Sequence, residues 1–297
     1  MELCIRLQTK GVIYWFSTKK RGIAMGIKQT GVTLGSALAA LILLPLASEL
    51  GWRPVLFGAC LLLMVAGCIA FRFYNDPPVE KNNHSINVGQ PRFLTSVYTL
   101  FKHKAFMLVS ISAVGLNGGQ MILNTYIVLF AYEILGISLF LSGILLVISE
   151  ASGSIGRVVW GIISDTLFNG KRVIILIIIA MVSAVSALTL TLLPADSPFW
   201  MVVPIIMIFG FCISGFNGIW MNAVTEFVPR EQSGVASGFS IMQGSWGVII
   251  APPLFGLMVD LGNYQLGWMF LFAILLIIAI LLILVIFIED KPLQSEK

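Results

Sequence analysis

Two ionisable residues stand in the middle of an apolar stretch, where a charge is costly. Glu150 and Arg157 are seven residues apart in LLVISEASGSIGRVVWG, which places both side chains on one face of an α-helix. A carboxyl group in such a segment can carry a proton, and a guanidinium group can hold the carboxylate of a solute. We therefore predict Glu150 as a proton-coupling residue and Arg157 as a substrate ligand. The alternative is a structural ion pair that fixes the packing of helices.

A further cation, Lys28, lies inside the apolar run RGIAMGIKQTGVTLG, seven residues after Arg21. At 1.5 Å per residue of helix it is about 10 Å from the charged edge of that run. A lysine at this depth can extend its ammonium group back to the membrane surface. The functional interpretation is that Lys28 and Gln29 face a cavity and bind an anionic substrate.

Amide and indole side chains recur at helical spacing in the other apolar runs. Three of them stand at positions i, i+3 and i+7 of one run, and the rest are in two later runs. Such groups can bind a solute, or they can form hydrogen bonds between helices. Both interpretations are open. The candidate substrate-binding residues of this kind are Asn117, Gln120, Asn124, Asn217, Trp220 and Gln243.

The remaining reactive residues do not have the spacing of a catalytic site. His84 and His103 lie in one polar segment without a catalytic partner, and the four cysteines lack metal-ligand spacing. The sequence has no GxxxxGK[ST] loop for nucleotide phosphates. We predict that the protein is neither an enzyme nor an ATP-driven pump, and that it uses no cofactor and no metal.

These residues must be positioned by membrane helices. Hydrophobic residues make up 58% of the 297 and charged residues only 11%, whereas a soluble domain has about 25% charged residues. Apolar runs of about 20 residues cross a bilayer as helices, and runs without alternation exclude a barrel. The expected fold class is an all-α polytopic membrane bundle of eight transmembrane helices. They are predicted at residues 22–50, 54–72, 105–132, 138–164, 173–193, 198–224, 232–259 and 266–288.

Three of the eight predicted spans are apolar almost all round. They cover residues 54–72, 173–193 and 266–288. Because a polar group facing lipid is expensive, the other spans should face protein or water, and we expect these three to face lipid.

The basic residues predict the orientation. Of the 18 Lys and Arg residues, fifteen lie in segments on one side of the membrane. Arg53 is on the opposite side, and Lys28 and Arg157 lie within spans. The positive-inside rule places both termini in the cytoplasm of a multi-pass inner-membrane protein. The net charge of +4 reflects this orientation and does not indicate a nucleic-acid partner. The expected partners are a small-molecule solute and the lipid bilayer, with the protein a monomer.

A polar linker divides the predicted spans. Residues 75–104 are rich in Pro, Asn and charge. A glycine spacing in residues 22–35 recurs in residues 234–247, so that one copy lies on each side of the linker. We predict residues 1–74 as the remnant of an N-terminal half, 75–104 as a cytoplasmic loop and 105–297 as a C-terminal six-helix half.

These features resemble the major facilitator superfamily. The run RGIAMGIKQTGVTLG, with Pro45 and a following GWR, is similar to a helix of that family. GIISDTLFNGKR resembles its cytoplasmic loop G-x-x-x-D-x-x-x-x-G-[KR]-[KR]. The chain looks like helices five to twelve of twelve in a bacterial organic-anion or cyanate-permease-like member, with GVIYWFS as the end of helix four.

The resemblance implies a function. In that family two halves move around a central site, which implies secondary transport of a small, anionic organic solute by alternating access, with proton coupling through Glu150. Absence of the first helices would reflect a late start site or a truncated paralogue. The alternative function is therefore a non-transporting remnant or sensor on a transporter scaffold.

The loop motif also contains a candidate gate residue. Asp165 lies at the end of its own helix, where a carboxylate is unfavourable. The resemblance places it beside the helix that begins at Arg21 and Gly22, whose backbone N–H groups and guanidinium attract an anion. We hypothesise that Asp165 and Arg21 close the cytoplasmic gate.

Overall fold

The architecture is known from a computed structural model. It describes residues 51–73, 93–228 and 232–289, and the single positions 31, 35, 42, 43, 46 and 50. Within these residues the regular structure is helical, without a strand. The helices are α1 (Trp52–Phe73), α2 (Phe93–Lys102), α3 (Lys104–Glu133), α4 (Leu139–Thr166), α5 (Arg172–Leu192), α6 (Phe199–Ile213), α7 (Asn217–Glu226), α8 (Ser233–Leu261) and α9 (Tyr264–Glu289).

Seven helices of the described residues are long and apolar enough to cross a membrane. They correspond to the last seven of the eight predicted spans, and the all-α polytopic fold class is confirmed. The sixth predicted span is built from two helices, α6 and α7. The first predicted span, residues 22–50, lies mostly outside the described residues, and its six described positions are helical.

The chain divides into two compact units. Helix α1 belongs to the unit Gly31–Asn87, and α2 to α9 belong to the other. Helix α2 lies within the segment predicted as a loop, where its helical structure was not expected. The predicted domain boundaries at residues 74 and 104 stay predictions.

The turns between spans use residues that tolerate unusual backbone conformations. Gly136 follows α3 with a φ of 64°, and Asn169 and Gly170 join α4 to α5 with φ values of 49° and 82°. This left-handed region suits glycine and asparagine. Ser138 is the N-cap of α4, and its hydroxyl oxygen accepts a hydrogen bond from the backbone N–H of Leu141 at 3.4 Å.

The prediction that the span 173–193 faces lipid fits only part of α5, where Met181, Val185 and Leu192 are exposed. Helix α5 is more than half buried within the protein, because α9 packs along it and α6 and α7 cover other faces. An all-apolar surface can contact lipid or other helices, and the composition of α5 does not distinguish them.

Glycines bring the interrupted span into backbone contact with α4. A Cβ atom added at Gly156 of α4 would overlap the carbonyl oxygen of Phe211 in α6, and one at Gly153 would overlap Ser214. At Gly210 of α6 an added Cβ would overlap the backbone of α4. Small residues at these positions permit a close approach that larger side chains would prevent.

This contact predicts opposite effects for two substitutions in α4. Gly156→Ala should lower the free energy of unfolding by roughly 1–3 kcal/mol, because the new methyl group forces α4 away from α6. Gly143→Ala is the matched control, since an added Cβ there has nothing within 4 Å. Alanine favours a helix by about 1 kcal/mol over glycine, so the control should be neutral or stabilising. Equal melting temperatures of the two variants in detergent micelles would contradict the contact.

Candidate solute-binding site

The span between residues 199 and 226 is interrupted at its middle. Helix α6 ends at Ile213, α7 begins at Asn217, and the three residues between them are buried. The backbone N–H of Gly215 bonds to Cys212 O at 3.2 Å, one residue closer than the regular helical acceptor, Phe211 O. The interruption therefore exposes carbonyl oxygens that need other donors.

Helix α4 supplies two of these donors. The indole N–H of Trp160 donates to Phe211 O at 3.1 Å. The Nε of Arg157 donates to Ser214 O at 2.9 Å. Lipid offers no donor for such carbonyl groups, so side chains of a neighbouring helix must satisfy them. Arg157 is 4% exposed, and in this conformation part of its hydrogen bonding serves the interruption.

A polar patch forms where α3 meets the start of α7. Asn217 Nδ2 donates to Gln120 Oε1 at 3.2 Å. One turn away, a Cβ added at Gly244 of α8 would lie 2.7 Å from Asn117 Nδ2 and 3.5 Å from the Trp220 ring. The structure thus brings together four predicted residues, Asn117, Gln120, Asn217 and Trp220.

Some polar atoms near this patch have no hydrogen-bond partner within the described residues. They include Trp220 Nε1, Gln243 Oε1 and Asn124 Oδ1, all of them buried. Trp220 itself is 4% exposed. Because an unsatisfied buried donor or acceptor is costly, such atoms favour the binding of a polar group.

Glu150 connects α4 to the same stripe of α3. Its Oε1 accepts a hydrogen bond of 2.8 Å from Asn124 Nδ2. Arg157 lies two turns further along the same helix. The interhelical hydrogen bonding that was the alternative for the stripe therefore occurs at Gln120 and Asn124, whereas substrate contact stays a prediction.

The gate hypothesis concerns residues at one end of the bundle. Asp165 forms a buried ion pair with Arg172, and the two side chains are 3% and 2% exposed. Arg172 also donates to Ser164 Oγ at 2.6 Å and pairs with Glu226 at 3.4 Å. The hypothesised partner Arg21 lies outside the described residues, as do Lys28 and Gln29. Arg172 was not predicted as a functional residue, although its place as the second basic residue of the loop motif was a signal for it.

A cavity of ≈ 300 Å³ opens beside this ion pair. Lys171, Arg172 and Glu226 contribute its charged groups, and Phe227 and Ile286 contribute apolar surface. It lies at the ends of α5, α7 and α9, whereas the polar patch is at the middle of the spans. The patch therefore lies at the middle of the apolar spans, and the cavity lies at the end of the bundle.

Known proteins are similar to this chain in sequence and fold. A sequence profile of the Major Facilitator Superfamily matches residues 11–245 and 170–297. The membrane sensor protein UhpC of Escherichia coli is 26% identical over 252 residues, which are 80% of this chain and 56% of UhpC. The probable galactarate/D-glucarate transporter GudP of Escherichia coli is 24% identical over 317 residues, 96% of this chain and 69% of GudP.

A solved structure has the same fold. The crystal structure of the Escherichia coli fucose:proton symporter FucP superposes with a TM-score of 0.71 and 15% identity, covering 94% of this chain and 72% of that chain. The chain spans about half the length, 55–56%, of curated relatives that it matches. With the profile matching most of its residues, the chain belongs to the major facilitator superfamily.

Proposed function

We propose that the protein takes part in secondary transport of a small, anionic organic solute by alternating access. The observation that carries the proposal is the polar patch of α3, α7 and α8. Asn217 bonds to Gln120 there at an interrupted helix, and Trp220 Nε1 and Gln243 Oε1 are buried without a partner among the described residues. Interrupted helices in transporters commonly carry the substrate site. The relatives are transport proteins and a sensor, not enzymes.

The anionic character of the solute rests on two arguments. GudP is named for galactarate and D-glucarate, both of which are dicarboxylates. The predicted ligands Lys28, Gln29 and Arg157 would supply positive charge and donors, and the amides of the patch would bind hydroxyl groups. The orientation with both termini in the cytoplasm is part of the proposal, as is the single-subunit form.

The solute site can be tested by uptake of labelled D-glucarate into proteoliposomes, with fucose as a neutral probe. Lys28→Gln should abolish glucarate uptake by removing the charge. Trp220→Phe should raise KM up to about tenfold, because it removes only the indole donor.

Trp268→Phe is the matched control for the indole substitution. Its Nε1 is also buried without a partner among the described residues, but its ring packs in the core against Phe130 and Phe255. The control should leave KM unchanged.

Normal uptake by Lys28→Gln would leave only the interpretation that the lysine extends to the membrane surface.

We further propose that Glu150 couples transport to protons. Its carboxyl group lies in the membrane, is half-buried and bonds to Asn124 of the polar stripe, so gain of a proton would change the bonds around the site.

Glu150→Gln should therefore remove the pH dependence of uptake while solute exchange across the membrane continues. Glu133→Gln is the control, since this carboxylate accepts a bond from Tyr264 at 2.7 Å near the end of α3. The pH profile of uptake measures both variants, and an unchanged profile in Glu150→Gln would exclude coupling through this residue.

The gate stays part of the proposal, with Asp165 as its central residue. Its buried pairing with Arg172 holds the carboxylate at the bundle end, and contact with Arg21 would join that end to the other predicted half. A charge-assisted contact contributes about 1.5–3 kcal/mol, enough to bias two conformations about tenfold or more.

Asp165→Ala should accordingly favour the inward-open conformation. The measurement is the labelling rate of a single cysteine, in a background without the native cysteines. The cysteine is placed on the cytoplasmic side of the proposed transport pathway. Glu226→Gln is the control, because that carboxylate is more exposed and pairs with Arg172 at a longer distance. Unchanged labelling in Asp165→Ala would defeat the gate.

Sensing is the second candidate function, favoured by the similarity to UhpC. A sensor would use the same patch to bind a solute without net transport. Proteoliposomes that bind glucarate, seen as a Trp fluorescence change, but never accumulate it would support sensing over transport.

A further inference from the structure

Helix α2 presents an unusual surface immediately before the first span of its unit. It is short, and one side of it packs into the protein through Val97 and Leu100. The other side exposes two aromatic rings, with Tyr98 61% and Phe101 53% exposed. Large exposed aromatic side chains are unfavourable in water, and aromatic residues are enriched where membranes meet water.

The charged groups of this surface are all positive. Lys102 places its Nζ 4.7 Å from the centre of the Tyr98 ring, so the ammonium group lies on the same face as the exposed aromatic rings. Lys104 begins the spanning helix α3 and is exposed. The sequence from residue 93 to residue 104 contains no acidic residue. The surface therefore complements a negatively charged partner.

The position of α2 relative to the spans sets its depth. Phe101 makes an edge-to-face contact with Phe239 of α8, the ring centres 4.8 Å apart. Phe239 is the seventh residue of α8, and Phe106, near the start of α3, also contacts its ring. Six residues of helix span about 9 Å. The end of α2 thus lies beside the first turns of two spanning helices, α3 and α8.

We propose that α2 is an interfacial helix whose Tyr98, Phe101 and Lys102 face binds the anionic lipid headgroups of the leaflet at which α3 begins. The aromatic rings enter the headgroup region, and Lys102 and Lys104 bind lipid phosphates and carboxylates. The bilayer is a partner that must be present, because α3 crosses it. Binding at this surface also holds Phe101 against α8 and so links lipid charge to the α3–α8 pair.

Depth of the helix can be measured with a fluorescent label. In a background without the native cysteines, Tyr98→Cys is labelled with an NBD fluorophore in nanodiscs of phosphatidylcholine with 30% phosphatidylglycerol. Asn169→Cys is the control, since it lies in an exposed turn on the same side of the membrane. We expect blue-shifted emission and strong quenching by headgroup-attached nitroxide at the first position only. Equal quenching by aqueous iodide at both positions would overturn the proposal.

The charge requirement has its own test. Removing phosphatidylglycerol, or combining Lys102→Gln with Lys104→Gln, should reduce the ratio of bound to released α2 by about fivefold per lysine. A label response that ignores lipid charge would overturn the anionic specificity. Protection that rises with protein concentration and not with lipid charge would indicate a protein partner, and would equally reject the proposal.

Hydrogen exchange of the unmodified protein avoids the substitutions. Amides of residues 97–102 should exchange more slowly in nanodiscs with 30% phosphatidylglycerol than in phosphatidylcholine alone. Those of residues 167–171 should not change. Equal exchange of the first segment in both lipids would contradict the interfacial helix. None of these measurements depends on transport activity.

Discussion

Carbonyl oxygens that lipid cannot satisfy determine how α4 packs against α6 and α7. The interruption between α6 and α7 turns two of them, Phe211 O and Ser214 O, away from regular helical bonding, and α4 supplies Trp160 and Arg157 as donors. A side chain can reach across only if the backbones are close, and glycines on both helices permit that distance. The glycines of α4 and α6, the buried guanidinium of Arg157 and the break between α6 and α7 therefore depend on one another.

The same constraint places the candidate site. Because the chain restarts as a helix at Asn217, the first turn of α7 directs Asn217 and Trp220 toward α3 and α8. Movement of the Ser214 carbonyl would move this turn. Arg157, which donates to Ser214 O, thus connects α4 to the turn that carries the candidate solute ligands.

Hydropathy predicted the seven spans that the structure describes, but the break in one of them was not predicted. Residues 199–226 are apolar throughout, and a window of hydropathy does not register where a helix stops inside the membrane. Gly210 and Gly215 were the available signals, and glycines are common in membrane helices that do not break. Helix α5 presents a different problem. Its uniformly apolar surface can pack against lipid or against protein, so its composition did not predict how much of it is buried.

The sequence selected candidate residues by their type and could not assign their partners. Intramembrane polarity singled out Arg157, Gln120 and Asn217, because such residues are rare and need a reason. Their partners depend on tertiary contacts over long sequence separations, 57 residues between Arg157 and Ser214 and 97 between Asn217 and Gln120. Spacing along one helix cannot predict those contacts.

Helix α2 escaped prediction for a related reason. The linker was interpreted from its average composition, in which Pro, Asn and charge at its start conceal a short amphipathic segment at its end. Ten residues are too few to form a stable helix in water alone. Packing of Leu100 into the core and of Phe101 on Phe239 stabilises it. Phe239 belongs to a helix more than a hundred residues away in sequence.

The interhelical bonds of the polar patch bear on how tightly a solute can bind. A solute that bonds to Gln120 or Asn217 must replace the 3.2 Å bond between them, so each new bond contributes only the difference between the two, about 1 kcal/mol or less. The unpartnered Trp220 Nε1 and Gln243 Oε1 have no such bond to lose, and a bond to either contributes more. At the proposed site, a solute that replaced the bond between Gln120 and Asn217 would therefore bind with moderate affinity and would release the contact between α3 and α7. A carrier requires this combination, because its solute must dissociate again and its binding must be linked to a movement of helices.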